Sequence, residues 1–272
     1  MKQRVVTLTW GVAWEWYGKE FYKTFKEHWP KEVELRIVTD FPLPIKAVFQ
    51  IPLQNAPGYE EFMDRWGNDA RAQGYGCTHR KAKPGKRYWK KDAVKWAPQA
   101  MAPLAGAEGL EDGDIFCWLD ADVVTLKDVP PMWLDTLLAR CDIACLVRKE
   151  LPGVEYSRVQ HSEIGFWAAR IGPKTRRMIQ KFSDIYTSDD VFKHKEWHSG
   201  YIFDRALESE PKLKINNLNR QGIIGNPFRV SQLAKYLIHK KGKLKWNDRF
   251  GSDGSRGSVR RSPSRVFQFS RG

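Results

Sequence analysis

The feature that most constrains this chain is a short apolar run, Ile115–Leu119, that ends at Asp120 and Asp122. An apolar run of this length indicates a buried β-strand. Ligands of α/β sheets bind at the carboxyl ends of such strands, where these two aspartates would lie. Neighbouring carboxylates repel each other unless a cation neutralises them, and a hard divalent metal that also holds a phosphate does so. The pair therefore predicts a metal–phosphate site, although a plain turn after a strand also favours aspartate.

The segments around this run alternate between strand and helix patterns. Residues 5–10 and 33–39 are rich in β-branched residues and predict strands, and residues 14–29 have helical spacing up to Pro30. A strand, a helix and a strand in this order begin a doubly wound α/β domain. Further strands are predicted at 142–147 and 164–169, helices at 59–72, 92–101, 130–140, 173–186 and the beginning of 228–241, a mixed segment at 197–207 and a Pro-rich loop at 41–58.

The charge of the chain is strongly positive and uneven. The 272 residues carry a net charge of +14, and residues 240–272 hold ten Lys or Arg against two Asp, which is +8 of that total. This balance favours an anionic partner such as nucleic acid, anionic lipid or a phosphorylated ligand. A solvated, mobile tail that serves solubility alone has the same composition.

Cysteine usage and hydropathy favour a cytoplasmic protein. The four cysteines, at positions 77, 117, 141 and 145, show neither metal-ligand spacing nor a disulfide framework. The first residues lack the pattern of a secretory signal, and no apolar stretch approaches the ~20 residues that span a bilayer. We therefore expect a reduced, cytoplasmic setting.

A second motif contains His239, Gly242 and Lys245, and Lys245 is followed directly by Trp246. A histidine that joins two carboxylates makes a ligand set that suits Mn²⁺ better than Ca²⁺. The glycine lets backbone amides approach a diphosphate, and the lysine supplies positive charge where a leaving phosphate becomes negative. Taken alone, the same residues are explained as part of a basic tail.

Together the two motifs resemble the D-x-D and H-x-x-G-x-x-K-P-W motifs of the glycogenin-like retaining glycosyltransferases, glycosyltransferase family 8. The resemblance implies a GT-A (Rossmann-like) nucleotide-sugar-binding fold with a central mixed, mostly parallel sheet. It implies that Asp120, Asp122 and His239 bind Mn²⁺ (or Mg²⁺), and that Gly242 and Lys245 hold the diphosphate of a nucleotide sugar. The expected donor is a UDP-sugar. A retaining outcome is also implied by the resemblance. This chain departs from the pattern because the proline of the second motif is absent.

A closer resemblance covers residues 85–246 and is to bacterial and bacteriophage glycosyltransferase-like proteins. The segments that carry it are 88–96, 118–125, 161–166, 196–204 and 226–231. It implies a DNA-modifying glycosyltransferase whose acceptor is 5-hydroxymethylcytosine in phage DNA. Ser199 stands where that group usually has an aspartate. The alternatives are transfer to a lipopolysaccharide or other glycan, and a non-catalytic nucleic-acid-binding protein on a degenerate GT-A fold.

Residues at the ends of the first two predicted strands are donor candidates. Thr9 and Trp10 end the first strand and Asp40 follows the second, positions that bind the nucleoside in a GT-A arrangement. Lys91 and Lys95 are spaced one helical turn apart, which would direct both side chains towards a diphosphate or sugar. Alternatively, the two lysines only make one face of a helix soluble. The donor-binding set is completed by Asp120, Ala121, Gly242 and Lys245.

Polar residues in the second half of the chain are candidates for contact with the acceptor. His161 and Glu163 precede a predicted strand, and Glu196, His198 and Asp204 are suited to acceptor contact or base chemistry. The catalytic set is therefore Asp122, Lys245, Glu163, His198 and Asp204. Taken individually, Glu163, His198 and Asp204 could instead be structural polar groups.

The domain organisation follows from the same motifs. Residues 1–246 are predicted to form a single GT-A domain and residues 247–272 a basic, flexible tail. A DNA acceptor would be bound through this tail and through the basic run 80–95, in which basic residues flank Tyr88 and Trp89 on both sides. A base modified inside a duplex has to be flipped out of the stack.

Overall fold

The computed structural model describes residues 1–46, 48–77, 85–148, 161–219 and 227–240, and these form an α/β fold. The strands are β1 (Gln3–Thr9), β2 (Val33–Thr39), β3 (Phe49–Pro52), β4 (Ile115–Leu119), β5 (Val123–Thr125), β6 (Ile143–Leu146), β7 (Glu163–Arg170), β8 (Ile215–Asn217) and β9 (Leu237–His239). The helices are α1 (Lys19–His28), α2 (Tyr59–Trp66), α3 (Ala93–Ala107), α4 (Trp133–Leu138), α5 (Pro173–Thr187), α6 (Ser199–Glu208) and α7 (Pro227–Val230).

Seven strands form one sheet in the order β3-β2-β1-β4-β7-β6-β8, and only β7 runs against the others. This confirms the predicted α/β fold with a central mixed, mostly parallel sheet. Thr9 at the end of β1 pairs with Thr39 at the end of β2, and Val6 pairs with Trp118 in β4. The carboxyl ends of these three strands therefore meet at one edge, where Asp40 and Asp120 follow.

Both faces of the sheet are buried by helices. Val6 and Phe116 belong to a hydrophobic cluster that includes residues of α3, α5 and α6, whereas Val5 and Ile115 belong to a second cluster that includes residues of α1 and α4. Side chains alternate between the faces of a strand. Because each face has its own core, both sets are apolar, which explains the uninterrupted apolar sequence of β4.

The sequence prediction misses the short strand β3 and the helix α6. The segment 41–58, predicted as loop, contains β3, and the segment 197–207, interpreted as mixed, contains α6. The helix predicted at 59–72 ends at Trp66, and the helical start of 228–241 is followed by β9. Strands of three or four residues are too short to show a period of two, and their formation depends on partners that are distant in sequence.

The chain divides into two compact units, Met1–His239 and Lys240–Gly272. Only Lys240 of the second unit is described. The predicted boundary at 246–247 and the tail therefore lie outside the described residues and stay predictions. No helix within the described ranges is long and apolar enough to cross a membrane.

Candidate active site

Asp120 follows the last residue of β4 and is held in one orientation by its neighbours. Its Oδ1 accepts hydrogen bonds from Gln99 Nε2 at 2.7 Å and from Trp118 Nε1 at 2.9 Å. Its backbone N–H donates to the carbonyl of Gly165 at 3.0 Å. The other carboxylate oxygen, Oδ2, lies 3.9 Å from His239 Nε2. The two side-chain donors therefore fix the carboxylate with Oδ2 directed towards His239.

A separate two-stranded sheet brings His239 to the aspartates. β5 and β9 pair antiparallel, so that Val123 lies opposite His239. Asp122 immediately precedes Val123, and its Oδ1 lies 2.8 Å from His239 Nε2. The imidazole is fully buried, yet neither of its nitrogens makes a hydrogen bond to the described residues. The 2.8 Å contact therefore lacks hydrogen-bond geometry, and Nε2 is directed at a point beside the carboxylate.

These three side chains fit a divalent cation. Each of Asp120, Asp122 and His239 offers one ligand atom, and the three atoms lie within 4.8 Å of one another. Two carboxylates and an imidazole suit Mn²⁺ by charge and by donor type. A buried imidazole nitrogen without a hydrogen bond costs free energy, and a bound metal would remove that cost. The structure thus brings together the three predicted ligands, whose binding of metal stays a prediction.

Glu163 lies behind His239, on the side away from the aspartates. Its Oε1 is 3.8 Å from His239 Nδ1 and accepts the backbone N–H of Gly165 at 3.3 Å. Its Oε2 accepts a hydrogen bond from Arg148 Nη2 at 3.2 Å. Metal-binding histidines usually donate their other ring N–H to a carboxylate, and Glu163 lies near Nδ1 in the position for this role, although 3.8 Å is longer than a hydrogen bond. The geometry gives the buried Glu163 a place beside His239, and its predicted catalytic role stays a prediction.

Gly165 provides the space that the imidazole of His239 occupies. A Cβ at this position would lie 2.5 Å from His239 Cε1 and 2.8 Å from Nδ1. The ring also packs edge-on against Phe228, with ring centroids 4.8 Å apart. The sequence prediction did not include Gly165, although a glycine inside an apolar strand signals a close approach of another group.

Gln99 links the metal-ligand cluster to the start of α6. It donates to Asp120 through Nε2 and accepts a hydrogen bond from Ser199 Oγ at 2.7 Å through Oε1. Neither Gln99 nor this use of Ser199 is apparent in the sequence, because the bond joins positions 100 residues apart. The chain Ser199–Gln99–Asp120 holds two helices and the end of β4 in a fixed relation.

Replacing Gln99 by leucine should weaken Mn²⁺ binding about 10- to 100-fold, the usual cost of losing a partner that orients a metal ligand. Leucine fills similar space but removes the donor to Asp120 Oδ1. The measurement is a titration with Mn²⁺, followed by the electron paramagnetic resonance signal of the free ion. Gln180→Leu is the matched control because the side chain of Gln180 donates to Asp184 in an exposed pair. Equal affinities of the two variants would contradict the role of Gln99.

The predicted nucleoside contacts lie at the ends of β1 and β2. Both carboxylate oxygens of Asp40 accept the backbone N–H of Gly11 at 3.0 Å, and burial raises the pKa of Asp40. Thr9 Oγ1 is buried without a hydrogen-bond partner in the described structure, and Trp10 is partly exposed. Gly11 has φ +55°, which favours glycine at this turn. These positions agree with the predicted edge, and the nucleoside contacts stay predictions.

Lys91 and Lys95 do not share one helix face. α3 begins only at Ala93, and Asp92 caps it by accepting the backbone N–H of Lys95 at 2.9 Å. Lys91 lies in the preceding 3₁₀ turn and donates to the carbonyl of His194 at 3.1 Å. The assumption of one helical turn between the two lysines is therefore wrong. Their contact with a diphosphate stays a prediction.

A second cluster of charged side chains lies beside α6. Glu196 contacts Lys90 Nζ at 2.8 Å, His198 Nε2 at 2.8 Å and His161 Nε2 at 3.4 Å. His161 Nδ1 also contacts Asp204 Oδ2 at 3.2 Å. Although burial acts to raise the pKa of Glu196, its bonds to His161, His198 and Lys90 hold that pKa far below its usual range.

This second cluster is less suited to a metal than the first. His161, Glu196 and His198 have metal-ligand spacing, but Lys90 places a cation against both oxygens of Glu196. His198 Nδ1 accepts the backbone N–H of Tyr201 at 3.3 Å, which leaves the proton on Nε2 facing Glu196. Both ring nitrogens of His198 are thus engaged within the protein. This geometry favours a positioning role for His198, whose predicted role as a base stays a prediction.

Asp204 is buried and joins α6 to the beginning of β7. Its carboxylate accepts hydrogen bonds from Ser162 Oγ at 2.5 Å and from the Ser162 backbone N–H at 3.4 Å. Burial acts to lower the pKa of His161, but its bonds to Asp204 and Glu196 outweigh burial and raise it. The cluster therefore consists of alternating charges, Lys90, Glu196, His161 and Asp204. The predicted acceptor contact of Asp204 stays a prediction.

Asp204→Asn should cost more stability at pH 5.5 than at pH 8.5. Because the folded-state pKa of His161 is raised, its contribution is fully present below the ordinary histidine value of about 6.5 and disappears as pH rises through the folded value. Asparagine removes the carboxylate of Asp204, whose bond to His161 contributes most to raising this pKa. Urea unfolding of both proteins at the two pH values measures the difference. The wild-type profile also includes His198, whose pKa burial lowers, so only the difference between the proteins is diagnostic.

Comparison with known proteins gives similarity at the level of solved structures. No protein-family model and no curated protein matches the chain. Mouse xyloside xylosyltransferase 1 in its apo form aligns with a TM-score of 0.47 and 10% identity, over 80% of this chain and 86% of that one. The galactosyltransferase LgtC, in complex with donor and acceptor sugar analogs, aligns with a TM-score of 0.41 and 12% identity, over 80% of this chain and 73% of that one.

The remaining predicted residues, Gly242 and Lys245, lie outside the described residues.

Proposed function

We propose that the protein is a metal-dependent glycosyltransferase that moves a sugar from a nucleotide sugar to a hydroxyl acceptor. The observation that carries this proposal is the convergence of Asp120, Asp122 and His239 at the carboxyl edge of the sheet, where the buried His239 Nε2 has no hydrogen bond to any residue that the structure describes. A purely structural cluster would satisfy this nitrogen. A binding protein on a degenerate fold would have no need to keep all three ligands together.

The residues of this chain have separate tasks in the proposed reaction. Asp120, Asp122 and His239 would hold Mn²⁺ or Mg²⁺, which supplies Lewis-acid stabilisation of the leaving diphosphate. Gln99 and Trp118 keep the Asp120 carboxylate in place. Lys245 would add positive charge at the diphosphate, and Gly242 would let backbone amides approach it closely. We propose a UDP-sugar as the donor and, from the family resemblance, a retaining outcome.

For the acceptor we propose DNA that contains 5-hydroxymethylcytosine. Support comes from the charge of the chain, +14, and from the cations on either side of Trp89 near the start of α3. Lysine and arginine neutralise phosphates, so that transfer to DNA should weaken steeply as salt rises. A lipopolysaccharide or other glycan is the competing acceptor.

The test is a panel of nucleotide sugars incubated with the protein and Mn²⁺. Hydrolysis or transfer that depends on Mn²⁺ is the expected result. Transfer is read by nucleoside mass spectrometry on DNA containing 5-hydroxymethylcytosine, with a glycan acceptor in parallel. Absence of turnover with every donor, combined with tight DNA binding, would favour the non-catalytic nucleic-acid-binding protein. Turnover with the glycan alone would replace DNA as the acceptor.

A further inference from the structure

An exposed tryptophan lies beside the charged cluster at the start of α3. Trp89 is 48% exposed, although a side chain of this size is usually largely buried. Its ring lies against those of Trp96 and His198, with centroids 6.2 and 5.1 Å away. We call Trp89, Trp96 and His198, together with the adjacent Lys90 and Lys95, the Trp89 platform.

The Trp89 platform is held rigidly although its indole is exposed. Trp96 Nε1 donates to the backbone carbonyl of Trp89 at 2.7 Å. Lys90 Nζ donates to both carboxylate oxygens of Glu196 at 2.8 Å, and the same carboxylate bonds His198. Lys90 and His198, which lie beside the indole, are thus tied to the same half-buried carboxylate. An aromatic surface fixed before binding loses little conformational freedom when a ligand stacks on it.

Cations lie close to the exposed indole, although Lys90 is paired with Glu196 and Arg87 with Asp92. Lys90 Nζ lies 5.5 Å from the centre of the Trp89 ring, and Lys95 Nζ lies 4.5 Å from the centre of the Trp96 ring. Lys86 and Arg87, just before the platform, are exposed. Cations interleaved with an exposed aromatic ring match a nucleic-acid strand, because the ring stacks on a base while the cations meet phosphates. The cationic charge favours an anionic strand over an uncharged glycan.

The Trp89 platform is also close to the proposed reaction centre. His198 is followed by Ser199, which reaches the metal-ligand carboxylate of Asp120 through Gln99 in two hydrogen bonds of 2.7 Å. Trp96 and Gln99 are three residues apart on α3, a rise of about 4.5 Å. A base bound on the platform would therefore lie beside the site at which the donor is proposed to bind.

We propose that the Trp89 platform stacks a nucleobase of the DNA acceptor. This inference rests on the proposed function, since it assigns the acceptor side of the same site. The base is turned out of its stack and laid on the indole, while Lys86 and Lys95 contact the flanking phosphates. The hydrogen bond from Trp96 to the backbone of Trp89, and the half-buried Glu196 that bonds Lys90 and His198, keep the indole in place for this contact.

The experiment measures DNA binding with and without the base. Two fluorescently labelled oligonucleotides are compared by anisotropy, one with 5-hydroxymethylcytosine and one with an abasic site at the same position. The wild-type protein should bind the abasic strand about 5- to 150-fold more weakly, the range expected for one base–aromatic stack. In Trp89→Ala this difference should disappear, and in Trp89→Phe most of it should remain. Trp16→Ala is the matched control, because Trp16 is 50% exposed on a different segment.

The outcomes separate this inference from the proposed function. If Trp89→Ala and the wild-type protein discriminate equally against the abasic strand, the platform does not stack the base. Equal losses in Trp89→Ala and Trp16→Ala would likewise overturn the assignment. Circular dichroism and thermal unfolding verify that each variant is folded. Mn²⁺-dependent hydrolysis of the donor by the wild-type protein, measured without DNA, tests the proposed function independently of any base contact.

Discussion

Asp122→Ala should reduce Mn²⁺-dependent turnover of the nucleotide sugar by about 1,000-fold or more, a factor that corresponds to roughly 4 kcal/mol. The substitution removes one of two carboxylates from a set of three ligands, and it is the carboxylate closest to His239, at 2.8 Å. The single carboxylate that remains beside the imidazole, that of Asp120, compensates only one of the two charges of a divalent ion. Turnover is measured as release of the nucleoside diphosphate at saturating Mn²⁺ and again across a titration of the ion.

A binding measurement distinguishes the loss of metal from a failure to fold. Mn²⁺ should raise the Tm of the wild-type protein, because a ligand that binds only the folded state stabilises it, and should leave the Tm of Asp122→Ala unchanged. Asp128→Ala is the matched control, since the side chain of Asp128 is 91% exposed and pairs with His28 in a surface contact. If Asp122→Ala turns over the donor at the wild-type rate, the metal site is assigned to the wrong residues.

The parts of the fold that could be predicted from sequence are those with a repeating local signal. β1, β2 and β4 have apolar or β-branched runs, and α5 has apolar residues at helical spacing that begin after Gly172. A buried parallel strand is apolar on both faces, so that its sequence is conspicuous wherever it lies. β5 and β9, with three residues each, have no such signal. Their pairing depends on contact between segments more than 100 residues apart.

The candidate site divides in the same way. Asp120 and Asp122 are predictable because they follow an apolar strand. The prediction of His239 depends on the resemblance of its segment to a known motif. The structure adds the reason that they meet, which is the β5–β9 pair. Gln99 and Gly165 act through distance and shape alone, since one holds a carboxylate and the other leaves room for a ring. Neither property is encoded in a local pattern, and both become visible only when the neighbours are known.

The side-chain environment also changes the interpretation of residues that the sequence assigned by chemistry. His198 has the right chemistry for a base, but both of its nitrogens are engaged by Glu196 and by the first turn of α6. Lys90, which is not among the predicted site residues, places a cation on Glu196. A group of acids and histidines thus becomes an ion network that supports the Trp89 platform. Composition could not distinguish the two arrangements, because they use the same residues.

Gly165→Ala should weaken Mn²⁺ binding by about 10- to 100-fold while leaving all three ligands in the chain, the magnitude typical for disturbing the support of a metal ligand. The new Cβ would lie 2.5 Å from His239 Cε1, a distance that a carbon contact does not tolerate. The same Cβ would lie 3.2 Å from Phe228 Cε2, and Phe228 packs edge-on against the imidazole with centroids 4.8 Å apart, so that the two rings restrict each other's movement. The imidazole must therefore rotate or shift away from Asp122, and Nε2 no longer faces the same point as the carboxylates.

Gly172→Ala provides the matched control for this substitution. A Cβ at Gly172 meets no atom within 4 Å, and its φ of 178° is extended backbone that alanine adopts without strain. Both variants therefore add one methyl group near β7, but only one of them displaces His239. Mn²⁺ affinity should fall in Gly165→Ala and stay unchanged in Gly172→Ala, whereas urea unfolding reports any general loss of stability. Equal Mn²⁺ affinities would mean that the position of the imidazole does not control the site, and His239 would then have to be removed from the ligand set.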